Sequence, residues 1–352
     1  MTLVPPAPGD PGERAPIADW RSAGVPLHDG GAIVHVCPAH EDVPRVAPLI
    51  RAIDATGAFD QVVLDAGGRR GSARALLALG VDVALRRVGG SRAELARALR
   101  DELALLPAVA VLVYDDDDAG VAAALAAARL GVSLVRVGAV PTGAAATPSR
   151  RLVARLADLL LVHGEEDAQA LCPAIAPERI HVIGNPLIDA VRRAKSPAPP
   201  ARTPGGYVLA VLAAADAALV AALAALAARV ELLIDAPAHV RVPGARRLDG
   251  RADFHERLAL QRAAGAIVTD SRRAQEEAAA LGVRCYALGP RYERVAVDAG
   301  GTTVALEHAG ALAAVRLEPH APTPCAIPLW DGRAGARAAD VLVTNFARLR
   351  PI

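Results

Sequence analysis

One pattern recurs along most of this chain: a short β-branched or apolar run, a loop containing Gly, Asp or Pro, then a longer Ala/Leu/Arg stretch with helical spacing. The runs Ala32–Val36, Gln61–Leu64, Val81–Leu85, Val109–Val113, Val132–Val137, Leu159–Val162 and Ile180–Ile183 predict strands. Their near-continuous hydrophobicity is that of a parallel sheet covered on both faces. Arg92–Leu106, Gly120–Leu130 and Arg150–Leu159 carry the helical spacing expected of the crossovers. A Pro-rich stretch, Lys195–Gly206, then breaks the pattern and reads as a linker. Beyond it the pattern restarts, with strands expected at Tyr207–Leu212, Val230–Ile234, Ala266–Thr269 and Arg284–Leu288, and helices at Ala215–Ala228, Arg257–Ala264 and Arg273–Leu281.

With 352 residues the chain exceeds one ordinary hydrophobic core, so two doubly wound domains are expected. The expected plan is an irregular arm over residues 1–30, a Rossmann-like domain over 31–194, a linker over 195–206 and a second Rossmann-like domain over 207–327. A C-terminal segment over 328–352, expected to return to the first domain, completes it. Ligands of such domains bind beyond the carboxyl ends of the strands, where the strand order reverses.

Composition narrows the function classes. A formal net charge of +1, with 39 basic residues scattered among 38 acidic ones, gives no basic field for nucleic acid. The four cysteines, Cys37, Cys172, Cys285 and Cys325, are far apart and form neither a Cys-x-x-Cys pair nor a zinc-spaced Cys/His cluster. Free buried thiols are expected. No apolar run reaches membrane-spanning length, and the first residues lack the n-region and h-region of a signal peptide. The expectation is a cytoplasmic protein with no membrane partner, no metal and no cofactor.

Specific segments then point to a family. Val109–Val137, with the acidic run Asp115–Asp118 after its first strand, resembles the strand, Gly-Asp-Thr turn, Ala-rich helix and His-Val-Glu-Ala-Gly strand of the non-hydrolysing UDP-N-acetylglucosamine 2-epimerases. Gly184-Asn185-Pro186-Leu187-Ile188-Asp189-Ala190 resembles that family's Gly-Asn-x-x-Ile-Asp-Ala. Thr269 through Ala278 resembles Thr-Asp-Ser-Gly-Gly-x-Gln-Glu-Glu-Ala, and Glu293-Arg294 resembles part of the later Thr-Glu-Arg-Pro-Glu. Pro328 through Ala334 is similar to Asn-Pro-Tyr-Gly-Asp-Gly-x-Ala before the final helix. The resemblance covers roughly residues 32–340. It implies an α/β fold of the GT-B kind, two Rossmann-like domains facing a cleft, and a dimer.

The resemblance also implies a chemistry in which a sugar C2 proton is removed, UDP departs, and both return with C2 inverted. Carboxylates must move the proton, while cations and helix N-terminal amides hold the departing diphosphate. Asp116 falls on the family aspartate and is the catalytic candidate. His40 and Arg45 replace the Arg and Lys of the family's first loop; Ser271, Arg272 and Arg273 occupy the Asp-Ser-Gly-Gly turn. Glu277 matches a ribose-contacting glutamate, while Arg291, Glu293 and Arg294 complete the substrate-binding candidates.

Several expected groups are replaced. Gly138 stands for the His-Val-Glu glutamate, residues 146–150 for the Pro-Glu-Glu segment, and Ala213-Ala214 for a His-Arg pair. Arg272 and Arg273 fill space that glycines leave open for a diphosphate. Asp115–Asp118 reads either as an acid/base or cation site or as a solvated helix start; Glu276 and Glu277 read either as ribose contacts or as partners of the two arginines. The leading expectation is an epimerase-like protein with a degenerate site, binding a sugar nucleotide or phosphate, as a homodimer or with an active paralogue. The alternatives are an active isomerase on UDP-N-acetylglucosamine or a related nucleotide sugar, and a GT-B glycosyltransferase.

Overall fold

A computed structural model describes residues 31–67, 71–89, 92–114, 117–138, 147–194, 206–248, 253–288, 301–317 and 326–347. The expected arm, nearly all of the expected linker, Cys325, and the site candidates Asp116, Arg291, Glu293 and Arg294 lie outside these residues. The chain separates into two compact units. The first draws its described residues from Met1–Val137, Pro148–Leu161 and Ala338–Ile352; the second draws them from Gly138–Thr147 and Val162–Arg337.

In order, the first elements are β1 (Ala32–Cys37), α1 (Val43–Asp54), β2 (Asp60–Asp65), α2 (Ser72–Ala78), β3 (Ala84–Arg87) and α3 (Arg92–Ala104). They are followed by β4 (Ala108–Val113), α4 (Asp118–Leu130), β5 (Ser133–Val137), α5 (Pro148–Leu156), β6 (Leu159–Val162), α6 (Glu165–Leu171), β7 (Ile180–Val182) and α7 (Pro186–Arg193). The strands form one seven-stranded sheet in the order β3-β2-β1-β4-β5-β6-β7, with parallel pairing from β3 through β6. The order reverses between β1 and β4. β1 and β4 are buried throughout, as a central parallel strand must be. α4 buries Ala119, Ala122, Ala123, Ala126 and Ala127, whose small side chains let a helix lie close to its neighbours.

The later elements are β8 (Tyr207–Val211), α8 (Ala217–Ala227), β9 (Glu231–Asp235), β10 (Arg246–Arg247), α9 (Phe254–Ala263), β11 (Ala266–Thr269), α10 (Arg272–Leu281), β12 (Cys285–Leu288), β13 (Thr303–Leu306) and α11 (Ala334–Phe346). The second sheet, β10-β9-β8-β11-β12-β13, is parallel at every pair and reverses between β8 and β11. Its core joins Val208, Ala210 and Val268 to Leu223, Leu226 and Ile234. The fold is therefore α/β with two parallel sheets of the Rossmann kind, as the strand pattern implied.

Local chemistry explains where the elements depart from the periodic reading. α1 carries Pro44 at its start, where a missing N–H costs nothing, and Pro48 inside, which obscures the helical pattern. The strand expected at Val81–Leu85 begins instead at Ala84, because the Val81 N–H bonds back to the Leu76 carbonyl to close α2. α9 starts at Phe254 rather than Arg257, since Asp253 and Glu256 make a reciprocal capping box with bonds of 2.9 Å each way. β13 supplies a sixth strand that its partly exposed sequence did not announce.

Candidate functional site

Each sheet has one reversal of strand order, and the motif-bearing loops flank both reversals. In the first unit, β1 leads into a 3-10 turn, His40–Asp42, and then into α1. The Arg45 guanidinium pairs with Asp42 at 3.7 Å, while its Nε is buried without a hydrogen-bond partner. The His40 side chain is not among the described residues. Across the reversal, β4 ends at Val113 and Tyr114 follows it. Asp117 accepts from the Gly120 N–H at 2.9 Å and caps α4, so this member of the acidic run serves the helix start.

The floor beneath these loops is a buried polar chain. His35 is fully buried on β1; its Nδ1 lies 2.7 Å from the Tyr114 hydroxyl and its Nε2 3.1 Å from Gln61 Oε1. The Gln61 amide in turn donates to the Ile50 carbonyl at 3.0 Å. Burial holds the His35 pKa down at about 4, opposed by the Gln61 bond, so the imidazole is neutral at pH 7. Burial likewise pushes the Tyr114 hydroxyl well up. The Cys37 thiol, pushed up by burial and by Asp42, Asp65 and Asp117, donates to the Ala39 carbonyl at 3.1 Å; it is no nucleophile. The glycine-containing turn after β2 packs on the same loop. A Cβ on Gly67 would stand 2.7 Å from the Pro38 carbonyl oxygen, so close packing of the two loops requires glycine there.

In the second unit, Thr269 closes the reversal between β8 and β11. Its hydroxyl donates to the Val211 carbonyl at 2.6 Å and accepts the Ser271 N–H at 2.9 Å. Asp270 accepts the N–H groups of Ala213 and Ala214 at 2.8 and 3.2 Å, tying the loop after β8 to the start of α10. Ser271 caps α10 through the Ala274 N–H. In the first turn, Arg272 Nε meets Glu276 at 3.0 Å and Arg273 Nε meets Glu277 at 3.5 Å, each one helical turn on. The Gln261 amide donates to the other Glu277 oxygen at 2.6 Å. Of the two readings left open for these glutamates, the pairing with the arginines is present.

The structure thus gathers Ser271, Arg272, Arg273 and Glu277 at one reversal and Arg45 at the other, beside the turn that contains His40. Among the described residues no group of three or more His, Cys, Asp or Glu is arranged to hold a metal. No described helix is long and apolar enough to cross a membrane.

Two features escaped the sequence. Asp189, in the Gly-Asn-Pro motif segment, accepts the buried N–H groups of Ala334 and Gly335 at 3.2 and 2.8 Å, capping α11 from 145 residues away. In the same segment Asn185 caps α7 by accepting the Leu187 N–H, with Pro186 as the first helical residue. Gln261, beside Glu277, had no sequence signal at all, because nothing local marks a glutamine that meets a helix 16 residues later.

The comparisons with known proteins agree with this architecture. No curated protein matches the chain by sequence. Among solved structures, the S. aureus MnaA–UDP co-structure superposes with a TM-score of 0.76 at 19% identity, covering 89% of this chain and 96% of that one. The UDP-GlcNAc 2-epimerase of Methanocaldococcus jannaschii, in complex with UDP-GlcNAc and UDP, gives 0.74 at 18% identity over 89% and 99%. Arabidopsis thaliana UGT89C1 complexed with UDP gives 0.61 at 14% over 90% and 99%, so the shared architecture is that of GT-B proteins. The sequence itself matches the UDP-N-acetylglucosamine 2-epimerase family model over residues 79–343, most of its length, and the chain therefore belongs to that family.

Proposed function

We propose that the chain is an epimerase-like protein that binds a sugar nucleotide or a simpler phosphate compound and in which the proton-transfer chemistry is lost or altered. The observation that carries this reading is the loop after β8. Directly opposite Asp270 and Ser271, Ala213 and Ala214 offer only backbone N–H groups, which Asp270 already takes. No acid, base or cation extends from the place where the family resemblance expects His and Arg.

Two further features support it. Gly138, with φ of 133°, follows β5 where the resemblance expects a glutamate, so no carboxylate projects there. Arg272 and Arg273 are each committed to a glutamate of their own helix, which leaves the first turn of α10 without surplus positive charge. Binding is favoured over chemistry because the α10 N-terminus keeps its dipole, whereas proton abstraction needs side chains that are missing. The solved neighbours are described with UDP or UDP-GlcNAc, which makes nucleotide sugars the ligand class to try first. We place the protein in the cytoplasm and expect it to assemble as a dimer with itself or with an active family member.

The test is NMR of UDP-N-acetylglucosamine with the protein in deuterated water. Saturation transfer to the ligand with an undiminished C2 proton signal is expected. Loss of that signal, abolished by Asp116→Asn, would establish an active isomerase instead. No transfer to UDP-N-acetylglucosamine, together with no binding of pyrophosphate by calorimetry, would remove the binding role.

A further inference from the structure

Residues 328–332, which lead the chain into α11, are held against their own backbone preference. Leu329 sits at φ of 61° and is the only residue other than glycine with a positive φ among the described residues. There an L-residue crowds its Cβ against the following carbonyl, and such strain persists only where neighbours enforce it. Arg337 enforces it here. Its Nε donates to the Ile183 carbonyl at 2.6 Å and its Nη2 to the Leu329 carbonyl at 3.1 Å. Both terminal nitrogens donate to the Asp331 carboxylate, at 2.8 and 2.9 Å. On the other side a Cβ at Gly184 would stand 2.5 Å from the Leu329 carbonyl oxygen, so the turn rests directly on that backbone.

The apolar anchor of this turn is small. Ile327 and Trp330 are buried in a cluster with Ile188 of α7 and Ala279 of α10, apart from the larger core of the second sheet. The Arg337–Asp331 pair faces solvent, with side-chain exposures of 27% and 45%, where an ion pair contributes little. The start of α11 is fastened to the same place, since Asp189 accepts the Ala334 and Gly335 N–H groups. The division into compact units falls just after Arg337, so the first turn of α11 belongs to the second unit and the rest of the helix to the first. A segment with a small apolar anchor and stored strain opens before the cores on either side of it.

We propose that residues 328–337 form a strained strap, clamped by Arg337, which opens as one piece while both sheets stay folded. Release of Arg337 lets Leu329 leave the left-handed region and frees the first turn of α11 from Asp189. The stretch then changes from a fixed part of the second unit into a tether through which the chain passes to the first.

The experiment is hydrogen exchange followed by peptide mass spectrometry on the full chain, with the wild type, Arg337→Gln, Leu329→Ala and Leu329→Gly. In the wild type the protected amides of residues 328–337 should exchange together, about a hundredfold or more faster than those of β8 and β11 in the same unit. Arg337→Gln should speed that stretch by about tenfold and leave β8 and β11 unchanged. Leu329→Gly should exchange there about threefold more slowly than Leu329→Ala, the reverse of the usual order, because only glycine sheds the left-handed cost. A wild-type stretch as slow as β8 and β11 overturns the proposal, since the turn is then part of the core. Acceleration by Arg337→Gln that β8 and β11 share equally overturns it too, as a loss of global stability. Glycine no slower than alanine at position 329 removes the stored strain and with it the strap. Should Arg337→Gln fail to fold, the wild-type rates and the comparison at position 329 decide.

Discussion

Acidification should weaken the first unit through His35. The imidazole is fully buried between Tyr114 and Gln61, and its pKa stands at about 4 against an ordinary 6.5. A histidine whose folded pKa is depressed binds its proton more readily in the unfolded chain. Its contribution is therefore intact above pH 6.5 and is lost as pH falls from 6.5 toward 4. Between pH 7 and pH 5 the unfolded state gains most of a proton and the folded state gains little, which costs about 2 kcal/mol by proton linkage. The full loss below pH 4 is about 3 kcal/mol by the same linkage. Urea denaturation followed by circular dichroism at pH 7, 6 and 5 measures this, with His35→Gln as the reference that cannot titrate there. The wild type should lose about 2 kcal/mol more than the variant between pH 7 and 5, and parallel pH profiles would refute the reasoning.

Three other outcomes follow from the second unit and the cysteines. Asp189→Ala strips the acceptor from the buried Ala334 and Gly335 N–H groups and should cost roughly 2–4 kcal/mol, a fall of roughly 5–15 °C in the midpoint of its melting transition. Asp189→Asn, keeping one acceptor oxygen, should recover part of that loss; a midpoint unchanged in Asp189→Ala would show that the cap contributes nothing. Gly184→Ala places a Cβ 2.5 Å from the Leu329 carbonyl oxygen at φ of +88°, so we expect roughly 2 kcal/mol or more of destabilisation, seen as faster limited proteolysis around residue 330. In alkylation followed by peptide mass spectrometry, Cys172, exposed where burial was expected, should react first among the described cysteines, and buried Cys37, whose thiol is held protonated, should stay unmodified until the unit unfolds.

How much of this was legible depends on the range of the interactions. Strands such as Leu159–Val162 and Ala266–Thr269 were readable because a continuous apolar run bounded by turns is a local signal of a parallel strand. The helix expected over Arg273–Leu281 was readable from its spacing, and that spacing offered Glu276 and Glu277 as i,i+4 partners of Arg272 and Arg273, one of the two readings left open. The candidate site was readable only as a set of positions, since a resemblance names places without fixing what each side chain touches.

The sequence by itself determined the α/β class, the alternation of strands and crossovers, and the family, because periodicity, capping and motif spacing are all properties of neighbouring residues. Only the tertiary structure decided the strand orders that put the loops after β1 and β4, and those after β8 and β11, side by side. It alone showed His35 against Tyr114 across 79 residues, Asp189 at the start of α11, and Gln261 sharing Glu277 with Arg273. Those contacts are made by chain segments that meet after folding, and the burial that shifts a pKa or commits a carboxylate does not exist before they meet.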